Sequence, residues 1–190
     1  MRKLVVQQWA TVDNVVAEED GGLSFVNVPS GGEMPDDDFK ASVMAFIASV
    51  DTMIIGANTY AMAKDYWPHA TDQGEFGEKF NRLAKFVAST RLNAAHWGGF
   101  PPATITADPA ATVRELKQQD GRDIMLWGSL TLMRAMFDAD LVDEVYMRIV
   151  PVTRGKGTRL FADRRNLHLL EARAFENGIV VQRYGVKQRS

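Results

Sequence analysis

The sequence predicts an α/β protein with a mixed, mostly parallel central sheet. Two short apolar runs, at residues 53–55 and 124–127, each end in a glycine and lead into apolar residues at helical spacing. Such runs are typical of strands buried on both faces of a parallel sheet. Near the C-terminus, residues 167–175 and 179–186 flank Asn177-Gly178 and predict an antiparallel hairpin. Strands alternating with helices, followed by a hairpin, indicate a sheet covered by helices on both faces.

The composition excludes several classes of protein. The 190 residues are 46% hydrophobic and 24% charged, which excludes a disordered or collagen-like chain. The 22 basic residues stand against 24 acidic ones, so we expect no binding to nucleic acid or to an anionic membrane. The lack of cysteine excludes disulfides, thiolate metal sites and a cysteine nucleophile. We expect one domain, residues 1–190, and, without a signal-peptide or membrane-length apolar run, a cytoplasmic protein.

Polar loops separate the elements expected in the first half of the chain. One of Asp36, Asp37 and Asp38 caps a helix with an apolar stripe that starts at Phe39. Trp67-Pro68 ends a later helix because proline disfavours helical backbone in the preceding residue. The expected elements are a strand at 4–10, a short strand at 23–28, the helix at 39–50, a strand at 53–56, a helix from 59, a short helix within 74–84, and a strand at 85–89.

In the second half, Asp108-Pro109 supplies a helix cap and a proline at the first helical position, and Gly121 marks the region where that helix ends. The expected elements are a strand at 103–106, that helix, the strand at 124–127, a helix at 130–137, a strand at 143–152, an apolar anchor at 160–161, and the hairpin.

The two glycine-ended strands suggest a binding function. A strand, a glycine turn and a helix start leave backbone N–H groups unpaired beside the positive end of the helix dipole, which suits a phosphate. Ligands of such sheets lie at the carboxyl ends of the strands, so the turns at Gly56 and Gly128 point to one edge. A tight turn without a ligand is the alternative, since glycine is common there for backbone reasons.

Seven segments, in their order along the chain, carry a resemblance to a known family. They are Trp9-Ala-Thr-Val-Asp13, Ile54-Ile-Gly-Ala-Asn-Thr-Tyr60, Trp67-Pro68, Lys85-Phe-Val-Ala-Ser-Thr90, residues 123–132, Asp140-Leu-Val-Asp-Glu144 and Pro151-Val-Thr-Arg-Gly-Lys-Gly-Thr-Arg-Leu-Phe161. The ordered set resembles the dihydrofolate reductase-like superfamily, most closely the reductase domain of bacterial riboflavin biosynthesis, as a stand-alone member. The resemblance spans nearly the whole chain and implies a three-layer fold.

The family binds NADPH across the open edge of its sheet. Arg91 could grip the adenosine 2′-phosphate in a fork, which favours NADPH over NADH; a solvated loop cation is the alternative. The equivalent Gly-Gly bond of folate-reducing relatives is cis, which leaves open a cis Gly128–Ser129 bond. The implied cofactor residues are Gly56, Ala57, Asn58 and Thr59 at the first turn, Gly128, Ser129, Leu130 and Thr131 at the second, Ser89, Thr90 and Arg91 at the 2′-phosphate, and Ala10 and Val16 at the nicotinamide carboxamide.

Folate-reducing relatives keep a carboxylate on the first long helix, where it binds and helps to protonate the pterin. The resemblance makes Asp37 and Asp38 catalytic candidates, with Asp36 beside them, although their distance to Gly56 is longer than in folate reducers. Capping the helix is their alternative role. Asp13 is a further catalytic candidate, for which stabilising a turn is the alternative.

Three residues are candidates for substrate binding. Trp67 could stack on a planar ring, or it could pack in the core. Arg154 and Lys156 could accept a substrate phosphate in the glycine-rich loop, or they could be solvated surface charges. The three histidines lack metal-ligand spacing, so we assign no metal site.

The resemblance implies an NADPH-dependent reductase of a pterin- or pyrimidine-like heterocycle, of the dihydrofolate or 5-amino-6-ribosylaminouracil type. A non-catalytic nucleotide- or flavin-binding module on the same fold is the alternative. Relatives commonly form homodimers with late strands near the interface, and the hairpin at 167–186 is compatible with this. A monomer is also compatible, because alternation shows only that one face is buried.

Overall fold

A computed structural model of the protein describes residues 1–27, 37–161 and 163–187. The main sheet has eight strands in the order β5-β4-β3-β6-β1-β7-β10-β9, and β2 pairs with β8 separately. The strands are β1 (Leu4–Thr11), β2 (Val15–Ala17), β3 (Val50–Gly56), β4 (Ala84–Ala88), β5 (Thr104–Thr106), β6 (Asp123–Trp127), β7 (Glu144–Val150), β8 (Thr158–Arg159), β9 (Leu167–Ala174) and β10 (Val180–Val186). The helices are α1 (Asp37–Ser49), α2 (Ala57–Ala63), α3 (Gly74–Arg82), α4 (Pro109–Gln118) and α5 (Leu130–Asp138). The predicted mixed, mostly parallel sheet is confirmed.

The chain divides into two compact units, and the first comprises Met1–Val6 and Val43–Val142. Here β3 pairs in parallel with β4 and with β6, and β4 pairs in parallel with β5. Ile54 and Ile55 are fully buried on β3, and the consecutive residues Ile124 and Met125 on β6 are 0% and 2% exposed, so both runs form strands buried on two faces as predicted. Because these strands are parallel, their carboxyl ends meet at one edge.

A polar cluster fixes the start of the first unit. The buried guanidinium of Arg2 forms an ion pair with Asp51, donates from its Nε to the Arg122 carbonyl at 2.5 Å, and donates to the Thr52 hydroxyl at 2.6 Å. The second carboxylate oxygen of Asp51 accepts the Arg122 N–H at 2.7 Å. The chain start is therefore joined to β3 and to the entrance of β6.

Lys85 is a second buried cation in this unit. Its Nζ donates to the carbonyls of Asn81 at 2.5 Å and Leu83 at 2.8 Å, and it lies 5.1 Å from the centroid of a Trp97 ring. Burial lowers the pKa of Lys85 to about 8. The carbonyls at the end of α3 thus receive a donor from the strand that follows.

The second unit comprises Gln7–Ser42 and Asp143–Ser190, in which β10 pairs antiparallel with both β7 and β9. The predicted hairpin is confirmed. Its turn is closed by the Phe175 N–H donating to the Ile179 carbonyl at 2.9 Å, with Gly178 left-handed at φ +80°. Gly178 therefore supplies the positive φ that the hairpin turn requires.

Two parts of the sequence prediction need correction. The strand expected at 23–28 is wrong, because a 3-10 turn covers Ser24–Asn27; residue 28 lies outside the described ranges. Ser24 donates to Glu18 at 2.6 Å and Phe25 is fully buried, so side chains hold this segment in place of a strand partner. The short strands β2 and β8 were not predicted, since their pairing joins residues far apart in sequence. The single-domain expectation stays a prediction.

Candidate functional site

In the first unit, the structure brings the two predicted glycine turns together. Gly56 ends β3 and precedes α2, while Gly128 and Ser129 connect β6 to α5. The Ser129 hydroxyl accepts the Gly56 N–H at 2.6 Å and lies 2.6 Å from the Thr59 hydroxyl oxygen. One side chain therefore links the ends of two neighbouring parallel strands.

The close approach of the turns explains why both strands end in glycine. A Cβ atom at Gly56 would lie 2.9 Å from the Ser129 hydroxyl oxygen. At Gly128, a Cβ atom would lie 3.2 Å from the Thr59 methyl carbon, and the backbone there is left-handed at φ +60°. A larger residue at either position would push the two turns apart.

The second turn uses two consecutive left-handed residues. Gly128 and Ser129 have φ of 60° and 61°, and the bond between them is trans, so the cis alternative is not realised. A non-glycine residue in this region costs about 1–2 kcal/mol, which the hydrogen bonds of Ser129 offset. Because its hydroxyl is directed to Gly56 and Thr59, Ser129 gives no side-chain cap to α5, which starts at Leu130 and Thr131. Backbone donors at this helix start are thus left for a ligand or water.

The loop after β4 begins at the same edge, because Ala88 on β4 pairs with Gly56 on β3. The Ser89 hydroxyl accepts the N–H groups of Arg91 and Leu92, each at 3.1 Å, and so shapes this loop. Thr90 and Arg91 are exposed. Contact of Ser89, Thr90 and Arg91 with a 2′-phosphate stays a prediction.

Around α2, Ala57 and Thr59 are half-buried and Asn58 is exposed. Trp67 starts a 3-10 turn and packs in an aromatic cluster, 4.5 Å from Phe80 and 5.8 Å from Trp127 between ring centroids. It is half-buried, and its carbonyl accepts a hydrogen bond from a neighbouring side chain at 2.8 Å. Stacking of Trp67 on a substrate stays a prediction.

In the second unit, Asp13 fixes a loop. Its carboxylate accepts hydrogen bonds from the Thr11 hydroxyl at 2.5 Å, the Gly155 N–H at 2.6 Å and the Arg154 N–H at 3.2 Å. The Thr11 hydroxyl and then the backbone N–H groups lower the pKa of Asp13 to about 2. A carboxylate held in this ionised form is suited to accept hydrogen bonds, and it is poorly suited to donate a proton near neutral pH.

The side chain of Arg154 points to the same region of the unit. Its Nε donates to Glu18 at 2.8 Å and its terminal nitrogen donates to the Ser24 hydroxyl at 3.3 Å. The Ser24 hydroxyl and then Arg154 lower the pKa of Glu18. The guanidinium of Arg154 therefore serves an internal ion pair, and phosphate binding by it stays a prediction.

The remaining candidates of this unit differ in exposure. Lys156 is exposed, and Ala10 and Val16 are buried on β1 and β2.

The aspartates at the start of α1 are exposed. Asp37 lies 3.6 Å from the Lys40 ammonium, and Asp38 lies 2.8 Å from the Arg173 guanidinium. Asp36 lies outside the described residues. Both contacts are surface ion pairs, which typically contribute little to stability. A catalytic role for Asp37 or Asp38 stays a prediction.

Sequence reasoning missed a set of buried polar residues in the second unit. Gln7 on β1 and Arg148 on β7 are 3% and 5% exposed. The Arg148 guanidinium carbon lies 5.2 Å from the Trp9 ring centroid and 5.4 Å from the Tyr146 ring centroid. Burial lowers the pKa of Arg148, and a hydrogen bond with Tyr146 opposes this shift. A polar residue inside an otherwise apolar strand was the signal that could have found them.

Two further findings concern the described ranges as a whole. Within residues 1–27, 37–161 and 163–187, no group of three or more acidic or histidine side chains could hold a metal ion. No helix in those ranges is long and apolar enough to cross a membrane.

Comparisons with known proteins agree with this architecture. A protein of Shewanella sp. PV-4, provisionally described as a riboflavin biosynthesis protein, has a similar solved structure. The TM-score is 0.74 and the identity is 17%, and the match covers 98% of this chain and 99% of that one. The diaminohydroxyphosphoribosylaminopyrimidine deaminase/5-amino-6-(5-phosphoribosylamino)uracil reductase of Thermotoga maritima matches with a TM-score of 0.62 and 12% identity, over 98% of this chain and 57% of that one. These likenesses show the dihydrofolate reductase-like fold.

Sequence comparison adds a relative of similar length. The uncharacterized protein YyaP of Bacillus subtilis (strain 168) is 26% identical over 185 residues, which cover 94% of this chain and 92% of YyaP. The family model described as the RibD C-terminal domain matches residues 2–181. The chain therefore belongs to the RibD C-terminal domain family.

Proposed function

We propose that the protein is an NADPH-dependent reductase that transfers hydride to a pterin- or pyrimidine-like heterocycle. The observation that carries the proposal is the joined pair of turns, in which the Ser129 hydroxyl holds Gly56 and Thr59 at one sheet edge. Family membership supports a reductase-type domain. The Thermotoga maritima relative is named as a uracil reductase, which supports a heterocyclic substrate.

The residues at the turns fit a dinucleotide by their own chemistry. The starts of α2 and α5 have no side-chain cap among the described residues, so their backbone N–H groups suit a pyrophosphate. A Cβ atom at Gly56 would crowd Ser129 and one at Gly128 would crowd Thr59, so glycine keeps the two turns close together. Arg91, Ser89 and Thr90 would bind the 2′-phosphate. NADPH would supply the hydride, and the protein would supply positioning and exclusion of water.

The proton donor distinguishes the reductase from the second candidate function. Asp13 is held ionised by its hydrogen bonds, while Asp37 and Asp38 are exposed and occupied in ion pairs. These observations favour a nucleotide- or flavin-binding module as the second candidate. For the enzyme, Asp37 and Asp38 remain the proposed acids, and changing each to Asn should lower turnover without weakening NADPH binding.

A titration that follows the fluorescence of NADPH or NADH tests which dinucleotide the protein binds. We expect saturable binding of NADPH and binding of NADH that is weaker by about tenfold, because a bidentate contact to the 2′-phosphate is lost. Arg91→Ser should remove this preference. Arg114→Ser, which removes an exposed cation from α4 in the same unit, should leave the preference intact. No saturable binding of either dinucleotide would contradict both candidate functions.

A turnover assay then separates the enzyme from the binding module. NADPH oxidation is followed with dihydrofolate and with the 5-amino-6-ribosylaminouracil compound as separate substrates. Oxidation that depends on one of these heterocycles supports the reductase. Tight NADPH binding without oxidation in either assay supports the module.

We also propose that the protein forms a homodimer through β9. This strand ends the sheet, and Leu169 and Leu170 on it are 58% and 46% exposed. An exposed edge strand with apolar side chains is a template for pairing with another chain. Antiparallel pairing of two copies about Ala172 would place Glu171 opposite Arg173, which have opposite charges.

Charge reversal tests this interface by light scattering. Glu171→Arg should shift the protein towards the monomer, because two arginines would then face two arginines across the strands. Adding Arg173→Glu to that variant should restore the dimer. Pairing in this register would be ruled out if the parent protein is a monomer, or if both variants remain dimers like the parent protein.

A further inference from the structure

A polar loop of the second unit, residues 18–24, follows β2 and has no buried residue of its own. The chain is anchored on either side of it by Val16, which is 2% exposed, and by Phe25, which is fully buried. Every residue of the loop itself is exposed or half-buried. The Glu18 N–H donates to the Gly22 carbonyl at 2.9 Å, so the loop forms a compact turn. Its position is therefore set by polar contacts, and segments with few buried apolar contacts open most easily.

One side chain from the segment after β7 contacts both ends of this loop. The Arg154 guanidinium donates from its Nε to the Glu18 carboxylate at 2.8 Å and from a terminal nitrogen to the Ser24 hydroxyl at 3.3 Å. The Ser24 hydroxyl in turn donates to Glu18 at 2.6 Å, which closes a triangle of three side chains. The Arg154 and Glu18 side chains are 27% and 21% exposed, so the ion pair is partly shielded from water but still accessible to salt.

The backbone of Arg154 is itself held in place. The Asp13 carboxylate accepts the N–H groups of Arg154 at 3.2 Å and Gly155 at 2.6 Å. The Thr11 hydroxyl and these N–H groups lower the pKa of Asp13 to about 2, so Asp13 is ionised at neutral pH and keeps both contacts. The guanidinium therefore extends from a fixed backbone to a loop that no apolar side chain secures.

We propose that Arg154 is an electrostatic latch on residues 18–24, so that ionic strength sets how often this loop opens. In the closed state the guanidinium contacts Glu18 and Ser24, and in the open state water hydrates both charges. A charge-assisted contact that is this exposed should change the opening equilibrium by about fivefold. The latch goes beyond the proposed function, because its opening requires no ligand.

A protease that cleaves after glutamate measures the opening directly. Glu18 and Glu19 both lie in the loop, and cleavage there tracks the open population. Mass spectrometry follows these bonds, and each rate is divided by that of an unstructured peptide at the same salt concentration. We expect the parent rate to rise about threefold between about 20 mM and about 500 mM NaCl. Arg154→Leu should be about fivefold faster at low salt and lose the salt response. Arg159→Leu, which removes an exposed arginine from β8, should behave like the parent protein.

The other side of the ion pair provides a second set of variants. Glu18→Gln removes the carboxylate charge and keeps the cleavage site after Glu19, so it should open the loop about as much as Arg154→Leu. The double variant should be cleaved no faster than either single variant, because both substitutions break one interaction. Ser24→Ala removes only the longer contact of Arg154, so it should speed cleavage about twofold or less and keep the salt response.

Thermal unfolding and distant cleavage distinguish a latch from general stabilisation. If Arg154→Leu and Glu18→Gln lower Tm and speed cleavage equally after Glu176 in the hairpin turn, the ion pair stabilises the whole unit and the proposal fails. Salt-independent cleavage of the parent loop, or parent-like cleavage of both variants, would also overturn it. Should Arg154→Leu fail to fold, Glu18→Gln and the salt response of the parent protein still decide the outcome.

NADPH titrations of the same samples separate this inference from the proposed function. Faster loop cleavage in Arg154→Leu with parent-like NADPH binding supports the latch. Weaker NADPH binding with parent-like cleavage would assign the guanidinium to the ligand and overturn the latch. No saturable NADPH binding by the parent protein would sink the reductase alone, since the cleavage assay contains no ligand.

Discussion

Ser129 offers the sharpest test of how the two turns are held together. Its hydroxyl accepts the Gly56 N–H and bonds the Thr59 hydroxyl, while its own backbone is left-handed at φ 61°. Ser129→Ala removes both hydrogen bonds and keeps the unfavourable backbone. Because the half-buried Gly56 N–H then lacks its acceptor, we expect a loss of about 1–3 kcal/mol in the free energy of unfolding.

Ser129→Gly separates the hydroxyl from the backbone. It removes the same hydrogen bonds, but glycine relieves about 1–2 kcal/mol of the cost of the left-handed conformation. We therefore expect Ser129→Gly to be close to the parent protein in stability and clearly more stable than Ser129→Ala. Urea unfolding followed by tryptophan fluorescence measures both differences.

Cofactor binding should report a different property of the same two variants. Both lose the link between the turns, so both should bind NADPH about fivefold more weakly, which corresponds to about 1 kcal/mol. Thr131→Ala, an exposed position in the first turn of α5, is the matched control for stability. Parent-like stability of Ser129→Ala, or lower stability of Ser129→Gly than of Ser129→Ala, would refute this account of the turn.

Three further predictions concern charged groups. Hydrogen bonds from Thr11 and the backbone lower the pKa of Asp13 from 3.8 to about 2, so its contribution to stability is lost as pH falls across that window. In urea unfolding, Asp13→Asn should therefore show a smaller decrease in the free energy of unfolding between pH 5 and 2 than the parent protein. Asp51→Ala should lower the free energy of unfolding by about 3 kcal/mol, because it leaves buried Arg2 without its carboxylate; Asp51→Asn keeps one oxygen acceptor and should cost less, and equal losses would contradict a contribution from the hydrogen bonds of Asp51. Burial lowers the pKa of Lys85 from 10.5 to about 8, so the unfolded chain holds a proton that the native protein has lost, and stability should rise between those pH values; Lys85→Met should remove that rise.

Local sequence patterns predicted the elements that depend on local causes. The runs at 53–55 and 124–127 are apolar enough to require burial on both faces, and β3 and β6 follow them. Asp108 accepts the Ala111 N–H at 2.9 Å, with Pro109 at the first position of α4, as the capping pattern indicated. Each of these outcomes is decided within a few residues.

Elements that depend on distant partners were beyond the sequence patterns. β2 has three residues and pairs with β8, which lies more than 140 positions away, so no local periodicity marks it. The segment at 23–28 is apolar enough to suggest a strand, but the hydroxyl of Ser24 and the burial of Phe25 hold residues 24–27 in a 3-10 turn. In both cases the tertiary contact overrides the local propensity.

The candidate site shows the same division. The glycines at 56 and 128 could be recognised from the sequence as turn residues. The hydrogen bond of the Ser129 hydroxyl could not be predicted, because it depends on the pairing of β3 with β6. The ion pair between Arg154 and Glu18 was equally hidden, because the sequence shows only a cation in a glycine-rich loop. The sequence left open a substrate phosphate or a solvated surface charge for Arg154, and the fold shows that its guanidinium has an internal partner.

Buried polar residues carry information that neither pattern nor fold class contains. The buried amide nitrogen of Gln7 has no hydrogen-bond partner within the part of the chain that the structure describes, and an apolar residue would fill the same strand position without it, so stability alone does not account for glutamine there.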